Sequence, residues 1–372
     1  MHRALFVGTL LGAALLNAGC QDSSSNPAAS TFTPRPVYEN REPEGLTSRV
    51  TGFTVDPEAY FLNLANCAPP PAQCPLPPLY AEFSPLLQRG LVRDALITLF
   101  DTAPDPVTGM PPQPGPPSVS DVNGLWTLEK VPTRRGAPYL VLSLGGQGTL
   151  SNNTTLPLPP PLPTLPPVPP AGRYLRTLSV RPVVPAHSAC VGLEALQASD
   201  NGIVEAVAKY LSSEGTPVTV ADLLGGPRYG GITVFWLYRP GFPVFRVPAA
   251  NTTVEASSGR VLNIDWAPPG ALPPQLQSAR GFFIAPGPPA SNSPLGIVAV
   301  VHPPLMGPPP VVKYTPKDTV TSIPEDRPWV FNQPLELPVA PGVVTFAGLQ
   351  MASKTPSTTP QIPPPSTCVP GQ

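Results

Sequence analysis

Charge is scarce in this chain. Only 12% of its 372 residues are Asp, Glu, Lys or Arg, against about 25% in ordinary globular proteins, and the formal net charge is −1. Nothing gathers into a basic patch for nucleic acid or a cationic face for a membrane surface. Histidine is scarcer still, at 3 residues. A zinc site needs about three or four ligands at recognisable spacing, and neither His-x-x-x-His nor Cys-x-x-Cys occurs. Gly-x-Ser-x-Gly, His-Glu-x-x-His, Gly-x-x-x-x-Gly-Lys-Ser/Thr and Gly-x-Gly-x-x-Gly are absent too. The easily recognised hydrolase, metalloprotease and nucleotide-binding chemistries therefore have no footing. After Cys20 no apolar run approaches the ~20 residues of a spanning helix, because Pro or Gly interrupts every candidate. The expectation is a protein that is not an enzyme and uses no metal, no cofactor and no nucleic acid.

Proline is what the chain has in abundance. Its 62 Pro and 31 Gly make up about a quarter of the residues, a level at which disorder becomes the default. A hydrophobic content of 41% opposes that and calls for a core. Proline cannot donate to a β-ladder and is pushed to strand ends, edges and turns. Together these predict a mainly β protein with two β-sandwich domains, transthyretin-like or Ig-like, joined by a proline-rich strut and carrying one helix in the second domain.

The N-terminus gives an address. Met1-His2-Arg3, an apolar run from Ala4 to Leu16, and Asn17-Ala18-Gly19-Cys20 follow the charged, apolar and small-residue order of a secretory signal. The ending resembles the lipobox of bacterial lipoproteins, departing from it at Asn17, where that family usually has Leu. The resemblance implies cleavage before Cys20, lipidation of its thiol and anchoring to a membrane; Gln21, in place of Asp, implies an outer-membrane lipoprotein on the periplasmic or surface face. An ordinary secretory signal with an incidental Cys20 is the alternative. Residues 1–19 are then a signal peptide and 20–47 a tether, too polar around Ser23-Ser24-Ser25-Asn26 to offset the entropy of ordering. In an oxidising compartment Cys67, Cys74, Cys190 and Cys368 form an even set. Cys67 and Cys74 enclose a short loop and are read as one disulfide. Cys190 with Cys368 is the second, free buried thiols being the other reading.

Residues 48–152 alternate β-type runs with turns. Ser48 to Val55 opens a sheet, Leu96 to Asp101 is a buried strand, and Ser118-Val119-Ser120-Asp121 meets Asn123-Gly124, a strong hairpin signal. Leu125-Trp126-Thr127-Leu128 returns, and Tyr139 to Leu144 adds a strand. The series Leu91–Leu99, Val119–Pro132 and Tyr139-Leu140-Val141 resembles the carboxypeptidase regulatory-like, transthyretin-like family over about 60 residues, with a proline-rich insertion between Phe100 and Val119 as its departure. The resemblance implies a seven-stranded β-sandwich serving as stalk, scaffold or binding module.

Residues 153–172, with Pro and Leu in near alternation from Leu156 to Pro170, read as an extended polyproline II strut. In the second domain, 173–351, Ser199-Asp200 can cap a helix near 202–212 with Ile203, Val204, Val207, Ala208 and Leu211 on one apolar face. A shorter turn at Val220 to Leu224 follows Thr219. Strands are predicted at Tyr174–Val184, Ile232–Tyr238, Gly281–Ala285, Gly296–Val301 and Val343–Leu349. The run from Val254 through Gly259 echoes Val119 through Gly124 at an offset of 135 residues. Residues 352–372 form a Ser/Thr/Pro tail.

Candidate chemistry is thin. His187 and Cys190 are three apart and could share a metal or act as base and nucleophile, but Cys190 is better placed in a disulfide. Asp121-Val122-Asn123-Gly124 looks like part of a calcium loop, yet a type I′ turn accounts for Asn-Gly. Asp101, Asp105, Asp121, Glu255 and Asp265 could supply a glycosidase pair only if two faced each other across a cleft. Asn152, Asn153 and Asn251 open sequons and read as turn residues in a bacterial protein. The most pointed feature is the aromatic group Phe235, Trp236, Tyr238, Phe242 and Phe245. On a strand Trp236 and Tyr238 share a face; exposed, they would stack a sugar with Arg239 and Arg246 as donors, and covered, they are core, which is the preferred reading. The sequence thus points to a cell-envelope lipoprotein acting as a structural, adhesive or partner-binding scaffold for a protein or glycan, with carbohydrate binding through Trp236, Tyr238 and Arg239 as the alternative.

Overall fold

The structure, a computed structural model, describes residues 47–67, 89–101, 115–132, 139–151, 167–183, 190–192, 194–240, 248–287, 290–320, 327–331 and 334–354. It is mainly β. Before the strut come β1 (Thr47–Val55), helix α1 (Pro57–Cys67), β2 (Val92–Arg93), β3 (Leu96–Asp101), β4 (Ser118–Val119), β5 (Leu125–Pro132), β6 (Tyr139–Ser143) and β7 (Thr149–Leu150). After it come β8 (Thr177–Val183), β9 (Cys190–Gly192), β10 (Ala195–Leu196), α2 (Ile203–Ser213), the single turn α3 (Val220–Leu223) and β11 (Gly231–Tyr238). The chain continues as β12 (Thr252–Ala256), β13 (Arg260–Trp266), β14 (Phe282–Phe283), β15 (Ile297–His302), β16 (Val311–Asp318), β17 (Leu335–Pro338) and β18 (Val344–Gln350). Among the described residues no helix is long and apolar enough to cross a membrane.

The strut does not divide two separate sandwiches. A nine-stranded sheet runs β14-β13-β15-β11-β18-β8-β6-β3-β4 and draws strands from both sides of it. β6 pairs antiparallel with β8 across the strut, and β8 and β11 both pair parallel with β18, the last strand described. The physical reason lies in β6 and β3: alone they would leave a long unpaired edge, which sheets avoid by pairing or covering. The far end of the strut is docked as well, with Val168 buried in the main core.

Side-chain alternation sorts this sheet into two cores. Ile232, Val234, Trp236 and Tyr238 of β11 face a large core shared with β1, α1, β3, β6 and α2. Phe235 and Leu237 face the opposite way, onto Val254, Val312 and Tyr314 of the three-stranded sheet β12-β16-β17. Because both faces are covered, β11 is buried along its whole length, as the central strand of a sheet with packed faces must be. β1 pairs with β5, β9 and β10 over the first core.

Both turns with matching Gly spacing carry the chain from one sheet to another instead of closing a hairpin. β4 pairs with β3, whereas β5 pairs with β1; β12 pairs with β16, whereas β13 pairs with β15 and β14. Gly124 and Gly259 both have positive φ, +73° and +98°. Asn123 does not, so the first turn is not type I′, which requires positive φ at both central residues. Instead Asp121 Oδ1 accepts from the N–H groups of Asn123 and Leu125, at 2.8 and 2.9 Å. That local bonding occupies the carboxylate which resembled a calcium ligand.

α2 carries the expected apolar face: Ile203, Val204, Val207, Ala208 and Leu211 are all buried. At α3, Thr219 and Asp222 form a reciprocal capping box. α1 has no counterpart in the sequence reading. Its signal is Asp56-Pro57-Glu58: Asp56 Oδ1 accepts from Ala59 N at 2.9 Å, the N-cap bond, and proline suits the first helical position. Helical periodicity is missing because α1 is buried from Pro57 to Asn63 on every side.

Candidate functional site

Asp56 and Glu58 stand at the junction of β1 and α1, and neither is exposed. Between them lies Arg280, whose side chain is 0% exposed. Its Nη2 donates to Asp56 Oδ2 at 2.7 Å and its Nη1 to Asp56 Oδ1 at 3.1 Å, a two-point grip on one carboxylate. Nη1 also donates to Glu58 Oε2 at 2.8 Å, and Nε donates to the carbonyl of Pro169, at the end of the strut, at 3.1 Å. Tyr174 Oη donates to Asp56 Oδ2 at 2.9 Å, and Ser199 Oγ to Glu58 Oε2 at 2.5 Å.

Glu58 has a second task. The first N–H groups of a helix have no partner inside it, and Gly202 at the start of α2 supplies no side-chain cap. The Ile203 N–H donates to Glu58 Oε1 at 2.9 Å, so the cap comes from 145 residues upstream. Ser199 and Asp200, the expected caps, are used elsewhere: Ser199 on Glu58, and Asp200 Oδ1 on the Arg173 N–H at 2.8 Å. α2 in turn steadies the loop that presents Arg280. Glu205 accepts from Ala279 N at 2.8 Å, and Lys209 donates to Gln277 O at 2.7 Å. The Gln277 side-chain amide spans the same loop, donating to Ala267 O at 2.8 Å and accepting from Gly270 N at 3.1 Å.

The electrostatics follow from two carboxylates around one guanidinium. Burial disfavours the Arg280 cation, but Asp56 and Glu58 outweigh it and hold its pKa above the ordinary arginine range. Burial pushes the Glu58 carboxyl up, with the Asp56 charge adding and Arg280 opposing. Burial also raises the Tyr174 phenol well above its usual value, and the charge of Asp56 works in the same direction. A cluster closed to solvent cannot meet a substrate. What it does chemically is join the β1–α1 junction, the end of the strut, the Tyr174 segment, the start of α2 and the Arg280 loop at one point.

The residues read from the sequence as site candidates are not brought together. Trp236 and Tyr238 do share a face, but they are 3% and 1% exposed. Trp236 packs against Phe61 at 5.9 Å and Phe346 at 6.1 Å between ring centroids, so the sugar-stacking platform is overturned: α1 covers that face. Arg239 is exposed and lies 5.4 Å over the Trp329 ring, away from Trp236. Asp121 serves its turn, Glu255 pairs with Lys317 on the three-stranded sheet, and Asp265 Oδ1 accepts from Trp266 N at 2.7 Å. Asn251 sits in a turn with φ +62°. Among the described residues no three His, Cys, Asp or Glu side chains converge as metal ligands. Cys20, Cys74, Cys368, Asp105, Asn152, Asn153, His187, Phe242, Phe245 and Arg246 lie outside the described residues, as do the side chains of Asp101, Cys67 and Cys190.

Sequence reasoning missed the buried cluster because its partners are up to 224 residues apart; the one local signal that could have pointed to it, the Asp56-Pro57-Glu58 helix start, was not read as such. Comparison with known proteins adds little. No protein-family model matches the chain, and no curated protein does either. A solved structure described as a Streptococcal ancillary pilin aligns over 83% of this chain at 12% identity. The alignment spans 63% of that protein's length with a TM-score of 0.18, a superposition too loose to carry either fold or function across.

Proposed function

We propose that this chain is a non-enzymatic structural module of the bacterial cell envelope, tethered through a lipid on Cys20 and presenting a stiff β body to a protein or glycan partner. The observation that carries the reading is the Asp56–Glu58–Arg280 cluster. Among the described residues this polar arrangement is spent inside, on fastening distant segments. Breaking such a pair by removing one partner costs about 3–5 kcal/mol, so the cluster acts as a clasp between the strut and the body. The apolar signal, the Cys20 lipobox and the polar tether support the address. The glycan reading no longer includes Trp236 and Tyr238, which are core.

Radiolabelled palmitate tests the tether in cells that express the chain. Label is expected in the wild type and absent from Cys20→Ala, and persistent label in the variant would overturn the anchor. Limited proteolysis of the envelope fraction tests the clasp. Arg280→Met is expected to be cleaved at least tenfold faster than wild type, and equal resistance would remove the structural role given to the cluster.

A further inference from the structure

We propose that Asn123 is a site of spontaneous, enzyme-free modification, at which the side-chain amide is lost through a cyclic imide, and that the fold denies the same reaction to Asn201. Asn-Gly occurs twice in the chain, at Asn123-Gly124 and at Asn201-Gly202. The dipeptide is chemically labile because glycine, lacking Cβ, leaves its own amide nitrogen unshielded. That nitrogen gives up its proton and attacks Cγ of the preceding asparagine. The N–Cγ bond forms, the Cγ–Nδ2 bond breaks, and the amide takes up the proton and departs as ammonia. Water then opens the imide ring at either carbonyl, giving aspartate or isoaspartate, whose backbone runs through the former side chain. Nothing is oxidised or reduced: water enters and ammonia leaves.

The reaction needs an amide free to turn, a backbone free to swing the nitrogen onto Cγ, and access for water. Asn123 is exposed, and its side-chain amide has no hydrogen-bond partner among the described residues. The Gly124 N–H donates to Asp121 O at 2.9 Å, so the turn must open before this nitrogen reacts. The bonds that hold Asp121, Asn123 and the Gly124 N–H all lie between Asp121 and Leu125, and an exposed turn closed only by local bonds opens at little cost. Asn201 is held from several sides. Its Nδ2 donates to Pro170 O at 3.0 Å, its carbonyl accepts from Arg280 N at 3.2 Å, and Gly202 is buried against Glu58. Swinging the Gly202 nitrogen therefore requires the clasp to open. At Asn123 the product has nowhere to hide its extra length. Gly124 O accepts from Thr54 N at 2.7 Å, and a Cβ on Gly124 would meet Leu91 Cβ at 3.0 Å and Val92 N at 3.3 Å. Isoaspartate adds a backbone carbon beside this fixed point, and either product sets a second carboxylate near that of Asp121. The crossover from β4 to β5 therefore loosens as the protein ages.

The test incubates the full chain in mildly alkaline buffer, folded and in urea, and reads both sites by peptide mapping with fragmentation that separates aspartate from isoaspartate. In the folded protein Asn123 is expected to convert at least tenfold faster than Asn201, with isoaspartate among its products. In urea the two rates are expected to converge, because the difference lies in the fold and not in the dipeptide. Asn123→Gln, whose longer side chain must close a larger ring, is expected to abolish conversion at this position and to keep the wild-type thermal midpoint. Equal or inverted rates in the folded protein, no conversion at Asn123, a tenfold ratio that persists in urea, or aspartate without isoaspartate at this position would each overturn the proposal.

Discussion

Arg280 and Glu58 occupy the same cluster, yet their removal should not be equivalent. Two carboxylates face one guanidinium, so Arg280→Met leaves two buried negative charges without a counter-ion and is expected to cost about 3–5 kcal/mol. Glu58→Gln leaves the Asp56–Arg280 pair matched and is expected to cost only about 1–2 kcal/mol. Urea unfolding at pH 7 separates the two, and equal costs would show that charge balance is not what the cluster resolves. Stability against pH carries a second signature. The Glu58 pKa is raised by burial, so between its ordinary value and its native one the folded protein binds the extra proton. Stability contributed by Glu58 therefore grows as pH falls through that window and is lost as pH rises through it. His302 acts in the opposite direction: held down to about 4 from 6.5, it takes up its proton first in the unfolded chain, and stability falls on acidification between those values, by on the order of 2–3 kcal/mol. Glu58→Gln should abolish the first trend and spare the second.

Glycine at the start of α2 is the counterpart of this capping from a distance. A Cβ on Gly202 would come within 1.8 Å of Glu58 Oε2, and that carboxylate cannot retreat without dropping Ile203 N and Arg280 together. Gly202→Ala is therefore expected to destabilise the protein by about 3 kcal/mol or more, the range of a broken buried network. Gly307→Ala, where nothing lies within 4 Å, should be neutral within about 0.5 kcal/mol; thermal denaturation of the pair decides it, and similar midpoints would sink the account. The two helices also show what local text can carry. α2 was legible from its apolar spacing, because one side of it faces solvent and the pattern alternates. α1 was not, since a helix enclosed by core has no polar face to set a period. The cap of α2 was assigned to Ser199-Asp200 on proximity, while the acceptor that serves it lies in another element. The longer apolar strands β3, β6, β11, β15 and β18 were legible, whereas β16 and β17, whose residues alternate with proline and charge, were not, and neither was pairing: β4 and β5, like β12 and β13, looked like hairpins because a turn signal reports a reversal and not the identity of the neighbour.

Nine strands from both sides of the proline-rich strut form a single sheet, and one core cluster includes residues from Val50 to Phe346. The chain should accordingly unfold as one unit. Calorimetry is expected to give one transition for the intact protein, and residues 47–151 or 173–354 expressed alone should show no cooperative unfolding; a fragment that melts cooperatively would restore the two-domain description. The sequence suggested that description because composition changes sharply at the strut, and composition marks a change in local backbone habit without saying whether strands on either side meet again. Where β18 sits has a further consequence. Val344–Gln350 is the last strand among the described residues, yet it lies between β11 and β8, pairing parallel with both. Until that segment has been synthesised, the two halves of the sheet have nothing to join them. Such a protein emerges from the ribosome unable to complete this sheet on the way, a property that would suit the export proposed above, and it closes the sheet only once β18 has arrived.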